Sequence, residues 1–143
     1  LDALYMSWPS LEAYLDYWRP AVFFKDWNRY IETELRQDVK QNADGTIGRK
    51  ASKIAAEYDL AEPNQVDLRA CYPRIACPTL VLKAQYGVLT ETDWILPPEA
   101  AQEMAKSIAV CKLVEVKGAN HYTILLSKNE RLQDEVRRFL KQG

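Results

Sequence analysis

The chain has 143 residues, enough for one ordinary domain or two small pieces of a larger one, and its acidic and basic residues nearly cancel to a net charge of −1. That balance argues against a nucleic-acid surface, which would show a basic excess. No apolar run approaches the roughly 20 residues of a membrane span, and no basic segment followed by an apolar core marks secretion. Cys71, Cys77 and Cys111 are odd in number and spaced unlike any zinc motif, and His121 is the only histidine, so no metal site is expected. Reduced structural thiols in a cytoplasmic protein are the plain reading.

Residues 1–72 read as a helical module. Nine of the chain's aromatic residues fall within the first thirty positions, from Tyr5 to Tyr30. Leu11, Tyr14, Leu15 and Trp18 recur at helical spacing between Ser10, a candidate N-cap, and Pro20, a stop. Trp27, Tyr30, Ile31 and Leu35 mark one face of a second helix. Asn42-Ala43-Asp44-Gly45 is a turn signal between two short extended pieces. Ala51, Ile54, Ala55 and Tyr58 mark a third helix. Glu62-Pro63-Asn64 then breaks the chain before a short helical piece near Val66 to Cys71.

From Pro73 onward the pattern changes. Pro73 and Pro78 bracket a connector, and Thr79 to Ala84 is a nearly continuous apolar run that suits a buried parallel strand. A loop from Gln85 to Trp94 leads to a helix opening at Pro97 or Pro98, with Ala101, Met104, Ala105 and Ile108 on its apolar face. Residues 111–116 read as a second strand. The last helix opens at Ser127-Lys128-Asn129-Glu130, a capping-box pattern, and is expected to turn Leu132, Val136, Phe139 and Leu140 inward. Arg131, Arg137, Arg138 and Lys141 belong to its solvated face. Parallel strands in a βαβα order need other strands beside them.

Two residues carry chemistry. His121 lies in Gly118-Ala119-Asn120-His121-Tyr122, directly after the second strand, and imidazole is the side chain best suited to move protons near neutral pH. Asp93 lies twenty-eight residues upstream, four before Pro97. The order strand–acid–helix–strand–histidine resembles the last part of an α/β-hydrolase, where the acid and histidine of a triad follow the nucleophile. In that resemblance Ile75 to Leu82 stands for the seventh strand of the core, Gly118 to His121 for the histidine turn, and residues 1–72 for the helical lid. The usual acid would stand near Gly87, so Val88 to Thr92 looks like an insertion, and Glu91 is a rival acid. In some members the acid follows the sixth strand instead, which this chain does not contain.

The resemblance implies an α/β fold: a lid (1–72) followed by the C-terminal part of a hydrolase core (73–143). It implies hydrolysis of an ester, lactone, amide or related bond in a small, largely apolar molecule, with His121 as general base, Asp93 as its orienting acid and no dissociable cofactor. No Gly-x-Ser-x-Gly elbow occurs, so the nucleophile, whether Ser, Asp or Cys, is absent and the chain alone is expected to be inactive. A non-catalytic binding or oligomerisation module derived from the fold is the alternative. The start at Leu1 rather than Met tilts the expectation towards a truncated enzyme. The expected partners are a small-molecule substrate, and either a second copy of the chain or the missing N-terminal half, with no nucleic acid and no membrane. The aromatic lid is expected to be mostly packing, with one or two rings facing substrate. Asn120 and Tyr122 are expected chiefly to support the histidine turn.

Overall fold

The computed structural model describes residues 2–24, 26–61 and 67–141. The chain divides into two compact units, Leu1–Gln65 and Val66–Gly143.

In the first unit, α1 (Leu11–Trp18) begins where Ser10 accepts a hydrogen bond from the Ala13 amide, as its N-cap pattern predicts. Asn28 does the same for α2 (Arg29–Gln37), accepting from Tyr30 and Ile31. Tyr14 and Leu15 of α1 are completely buried, as is Ile31 of α2, with Trp8, Phe24 and Leu35 around them. Each such side chain contributes about 1.5–3 kcal/mol relative to an exposed one. The aromatic rings meet edge to face, Trp8 on Tyr14 at 4.8 Å and Phe24 on Trp27 at 6.1 Å. This packing is what a small helical unit needs to make a core. The two extended pieces form an antiparallel hairpin, β1 (Val39–Gln41) and β2 (Ile47–Arg49). Gly45 adopts φ 85° in its turn, and Asp44 accepts from the Thr46 amide and hydroxyl. Trp8 extends the hairpin by exchanging both main-chain bonds with Ile47.

The third helix forms as α3 (Lys53–Ala61), but its expected apolar face is not buried: Ile54 is 80% and Tyr58 64% exposed. Spacing reports which side chains share a face, not whether anything covers that face. The break expected at Glu62-Pro63-Asn64 lies outside the described residues.

The second unit opens with a 3₁₀ helix, Arg69–Arg74, followed by β3 (Thr79–Ala84), α4 (Pro98–Ser107), β4 (Cys111–Val116) and α5 (Glu130–Leu140). The 3₁₀ helix packs on α4, with Arg69 paired to Glu103, so these residues group with the core part although the sequence changes character only after Tyr72. β3 and β4 are parallel, in register from Thr79↔Cys111 to Ala84↔Val116. Helix α4 makes the crossover that parallel strands require. Proline at the first turn of α4 costs it nothing, because that amide has no helical partner. Ala101 and Ile108 are buried on its apolar side.

Two expectations for α5 are corrected. Its N-cap is Asn129, which accepts from the Leu132 amide, whereas Ser127 stands two residues before the cap and its hydroxyl donates to the Thr123 carbonyl. Leu140 is 71% exposed, while Leu132, Val136 and Phe139 are half-buried. The basic residues of α5 are solvated, Arg137 beside Asp134 and Arg138 beside Glu135. Among the described residues no helix is long and apolar enough to cross a membrane. Cys71, Cys77 and Cys111 are free thiols, and burial raises the pKa of Cys111.

Candidate active site

The parallel pairing of β3 and β4 does not stop at their last paired residues. Gln85 donates to the Val116 carbonyl, Tyr86 to the Ala119 carbonyl, and the His121 amide donates back to the Gly87 carbonyl at 3.2 Å. The tripeptide Gln85-Tyr86-Gly87 thus acts as a rail that holds the histidine turn. The turn itself reverses at Gly118, which has φ 75°, a conformation that costs any side-chain-bearing residue about 1–2 kcal/mol. Beyond it, Asn120 accepts from the Tyr122 and Thr123 amides, and the Thr123 hydroxyl accepts from the Asn120 amide. This reciprocal cap starts a single helical turn with His121 at its first position, closed by Ile124 donating to the Asn120 carbonyl. Asn120 therefore supports the turn, as expected. His121 is exposed, and its ring meets Tyr122 edge to face at 5.1 Å.

The acid loop leaves the other side of the same rail. Gly87 donates to the Thr90 carbonyl, and the chain returns so that Asp93 lies against Gly87. A Cβ at position 87 would stand 2.1 Å from the Asp93 Oδ1 atom. The carboxylate thus fills the space that a side chain on residue 87 would occupy. The segment Val88 to Thr92 is a closed excursion, and it returns Asp93 to the end of β3. The Asp93 carboxylate accepts from the amides of Val88 (2.9 Å), Leu89 (2.9 Å) and Thr90 (2.8 Å) and from the Thr90 hydroxyl (2.9 Å). The Leu89 amide leads these donors in holding the carboxyl down at about 2, below its ordinary 3.8, so Asp93 is ionised throughout the physiological range. Three of the four bonds fall on Oδ1 and only Leu89 reaches Oδ2, so Oδ2 keeps acceptor capacity. Among the described residues every hydrogen bond to this carboxylate comes from its own loop. The structure brings the backbones of the acid and histidine segments together through Gly87, without joining their side chains. Glu91 is exposed within the same loop.

A cleft of about 110 Å³ includes His121, Trp94, Leu82, Leu96, Ile124 and Lys83 in its wall. Lys83 is only 4% exposed. Its ammonium donates to the Ala84 carbonyl at 3.0 Å, pairs with Glu115 opposite it on β4 at 3.4 Å, and lies 5.4 Å from the centre of the Trp94 ring. The Trp94 indole N–H in turn donates to the Gln85 carbonyl at 2.9 Å. Sequence reading treated Lys83 as part of an apolar run and passed over Gln85, Thr90 and Trp94. Thr90, three residues before Asp93, carries a local signal in its Thr-x-x-Asp spacing, but nothing in the sequence marks Gln85. Among the described residues no group of three His, Cys, Asp or Glu could hold a metal ion. The hydroxyls of Ser10, Ser52 and Ser127 are all engaged with main-chain groups at helix starts or turns.

Known proteins agree with this architecture. The family model described as TAP-like protein, an α/β-hydrolase family, matches residues 59–143. No curated protein sequence is significantly similar to the chain. Among solved structures, a provisionally named hydrolase from Rickettsia typhi superposes with a TM-score of 0.68 at 16% identity, covering 99% of this chain and 47% of that one. E-2-(acetamidomethylene)succinate hydrolase superposes with a TM-score of 0.67 at 18% identity, covering 95% of this chain and 47% of its own. The chain therefore spans about half the length of the solved hydrolases it matches, and it belongs to the TAP-like protein family, with part of an α/β-hydrolase fold.

Proposed function

We propose that this chain supplies the general base and orienting acid of a hydrolase acting on an ester, lactone, amide or related bond in a small, largely apolar molecule. His121 takes the proton of a nucleophile carried outside these residues and returns it to the leaving group, while Asp93 fixes the imidazole tautomer and stabilises the imidazolium. The observation that supports Asp93 over Glu91 is its lodging at Gly87: the carboxylate sits at the strand-end position, and the same residue's carbonyl receives the His121 amide. The apolar side chains in the wall of the cleft, Leu82, Trp94, Leu96 and Ile124, which stand there beside Lys83 and Tyr86, favour an apolar group on the substrate. Among the described residues β3 pairs only with β4. We propose that its second edge is covered by the remaining strands of a hydrolase core or by a second copy of the chain.

The test is labelling with a fluorophosphonate probe and turnover of a short-chain nitrophenyl ester. The chain by itself is expected to show neither, and a hydrolase containing this segment to show both, with turnover abolished by His121→Ala. Stoichiometric labelling of the chain alone, or turnover in it that His121→Ala abolishes, would overturn the reading.

A further inference from the structure

We infer that Gln85 is a positioning residue that couples the acid loop to the histidine turn. This rests on the proposed roles of Asp93 and His121 but assigns a part to a side chain outside that pair. The Gln85 Oε1 atom accepts from the Gly118 amide at 2.8 Å, and its main-chain carbonyl accepts from the Trp94 indole at 2.9 Å. Trp94 directly follows Asp93, and Gly118 is the left-handed residue at which the histidine turn reverses. One residue therefore ties the exit of the acid loop to the entry of the histidine turn.

The chemistry of the contact is specific. Gly118 offers a donor, so only the amide oxygen of Gln85 can meet it, and an apolar side chain of the same length leaves that amide without its partner. The bonds that tie the turn to the strand end (Gln85 to Val116, Tyr86 to Ala119, His121 to Gly87) are main chain to main chain, and the Asn120–Thr123 cap lies within the turn itself, so both survive a change of the Gln85 side chain. Gln85 is thus the residue of the strand-end segment whose side chain, when substituted, loosens the placement of the histidine turn without removing a reacting group. Misplacing a catalytic group by about an ångström costs on the order of 10²-fold in rate, because the reacting atoms leave their attack geometry.

The test compares Gln85→Met, which keeps length and removes the acceptor, with Gln85→Glu, which keeps an acceptor oxygen. In the chain itself the single histidine gives one set of imidazole resonances. Gln85→Met is expected to move the Gly118 amide and the His121 ring signals together, with Gln85→Glu restoring the Gly118 shift. The Trp94 indole signal reports that the fold is retained. In a hydrolase containing this segment, Gln85→Met is expected to lower kcat for p-nitrophenyl butyrate about 10- to 100-fold at unchanged KM, with Gln85→Glu recovering most of it. A Gly118 shift without a His121 shift, or an unchanged kcat where His121→Ala abolishes turnover, would overturn the inference and leave the base assignment standing. Full turnover in His121→Ala would overturn both.

Discussion

Replacing Gly87 by alanine adds one methyl group at the most constrained point of the site. The new Cβ would lie 2.1 Å from Asp93 Oδ1, 2.7 Å from the Asp93 main-chain carbon and 2.8 Å from its nitrogen, whereas ordinary contact begins at 3.4 Å. The carboxylate must retreat by more than an ångström. Rotation of the Asp93 side chain cannot relieve the overlap, because main-chain atoms are also involved. Overpacking of this kind costs about 1–3 kcal/mol when the surroundings are well packed. Here the loop carries the strain, so the visible effect is loss of the amide cluster around the carboxylate. The assay is a pH titration of the Asp93 carboxyl carbon by NMR. The native midpoint is expected at about 2 and that of Gly87→Ala displaced towards the ordinary 3.8, with the Leu89 and Thr90 amide signals moving as well. An unchanged midpoint and unchanged loop amides would refute the placement of Asp93 in the space at position 87.

Other perturbations follow the same logic. Thr90→Val keeps shape but removes one donor to Asp93, so the Asp93 midpoint should rise from about 2. Because that carboxyl titrates lower in the folded loop than in an unfolded chain, its stabilisation is complete above a pH of about 4 and lost as pH falls through about 2. Amide exchange of Leu89 measured across this window checks the sign. Gly118→Ala meets no atom within 4 Å, so its cost comes from φ 75° alone, about 1–2 kcal/mol in denaturant unfolding; a neutral result would mean the turn relaxes to another conformation. Light scattering at micromolar concentration should show the chain self-associated, as an uncovered second edge of β3 requires, and a clean monomer would refute pairing of that edge with another copy.

The elements of the core part were legible because each had a physical marker in the sequence. β3 showed as an apolar run, α4 as an apolar face behind a proline start, and the histidine turn as a glycine followed by Asn120. The Asp93-to-Pro97 and Asp93-to-His121 spacings singled out Asp93 as a candidate but not how a residue after an apparent insertion could reach the strand end. The answer lies in the absent side chain of Gly87, a contact across a loop that no spacing reveals. Gln85 and Lys83 were illegible for a related reason: the first acts through a bond to residue 118, the second through burial of a charge against Trp94 and Glu115. In the first unit the helices were readable, but the exposed face of α3 was not, since amphipathic spacing is blind to whether a partner is present. The offset from Ser127 to Glu130 fits a capping box, but the helix starts at Glu130 itself, so Asn129 occupies the cap position and accepts from the Leu132 amide.

The most direct test of the Asp93–His121 pairing is steady-state kinetics on p-nitrophenyl butyrate in a hydrolase that contains this segment, comparing His121→Ala, Asp93→Asn and Glu91→Gln. His121→Ala is expected to abolish turnover, and Asp93→Asn to lower kcat by about 10²- to 10⁴-fold, in line with the loss of a triad acid. Glu91→Gln is expected to change kcat by no more than about twofold, as for a surface carboxylate away from the reacting atoms. Retention of full activity in Asp93→Asn, or its loss in Glu91→Gln, would contradict the assignment of the acid lodged at Gly87.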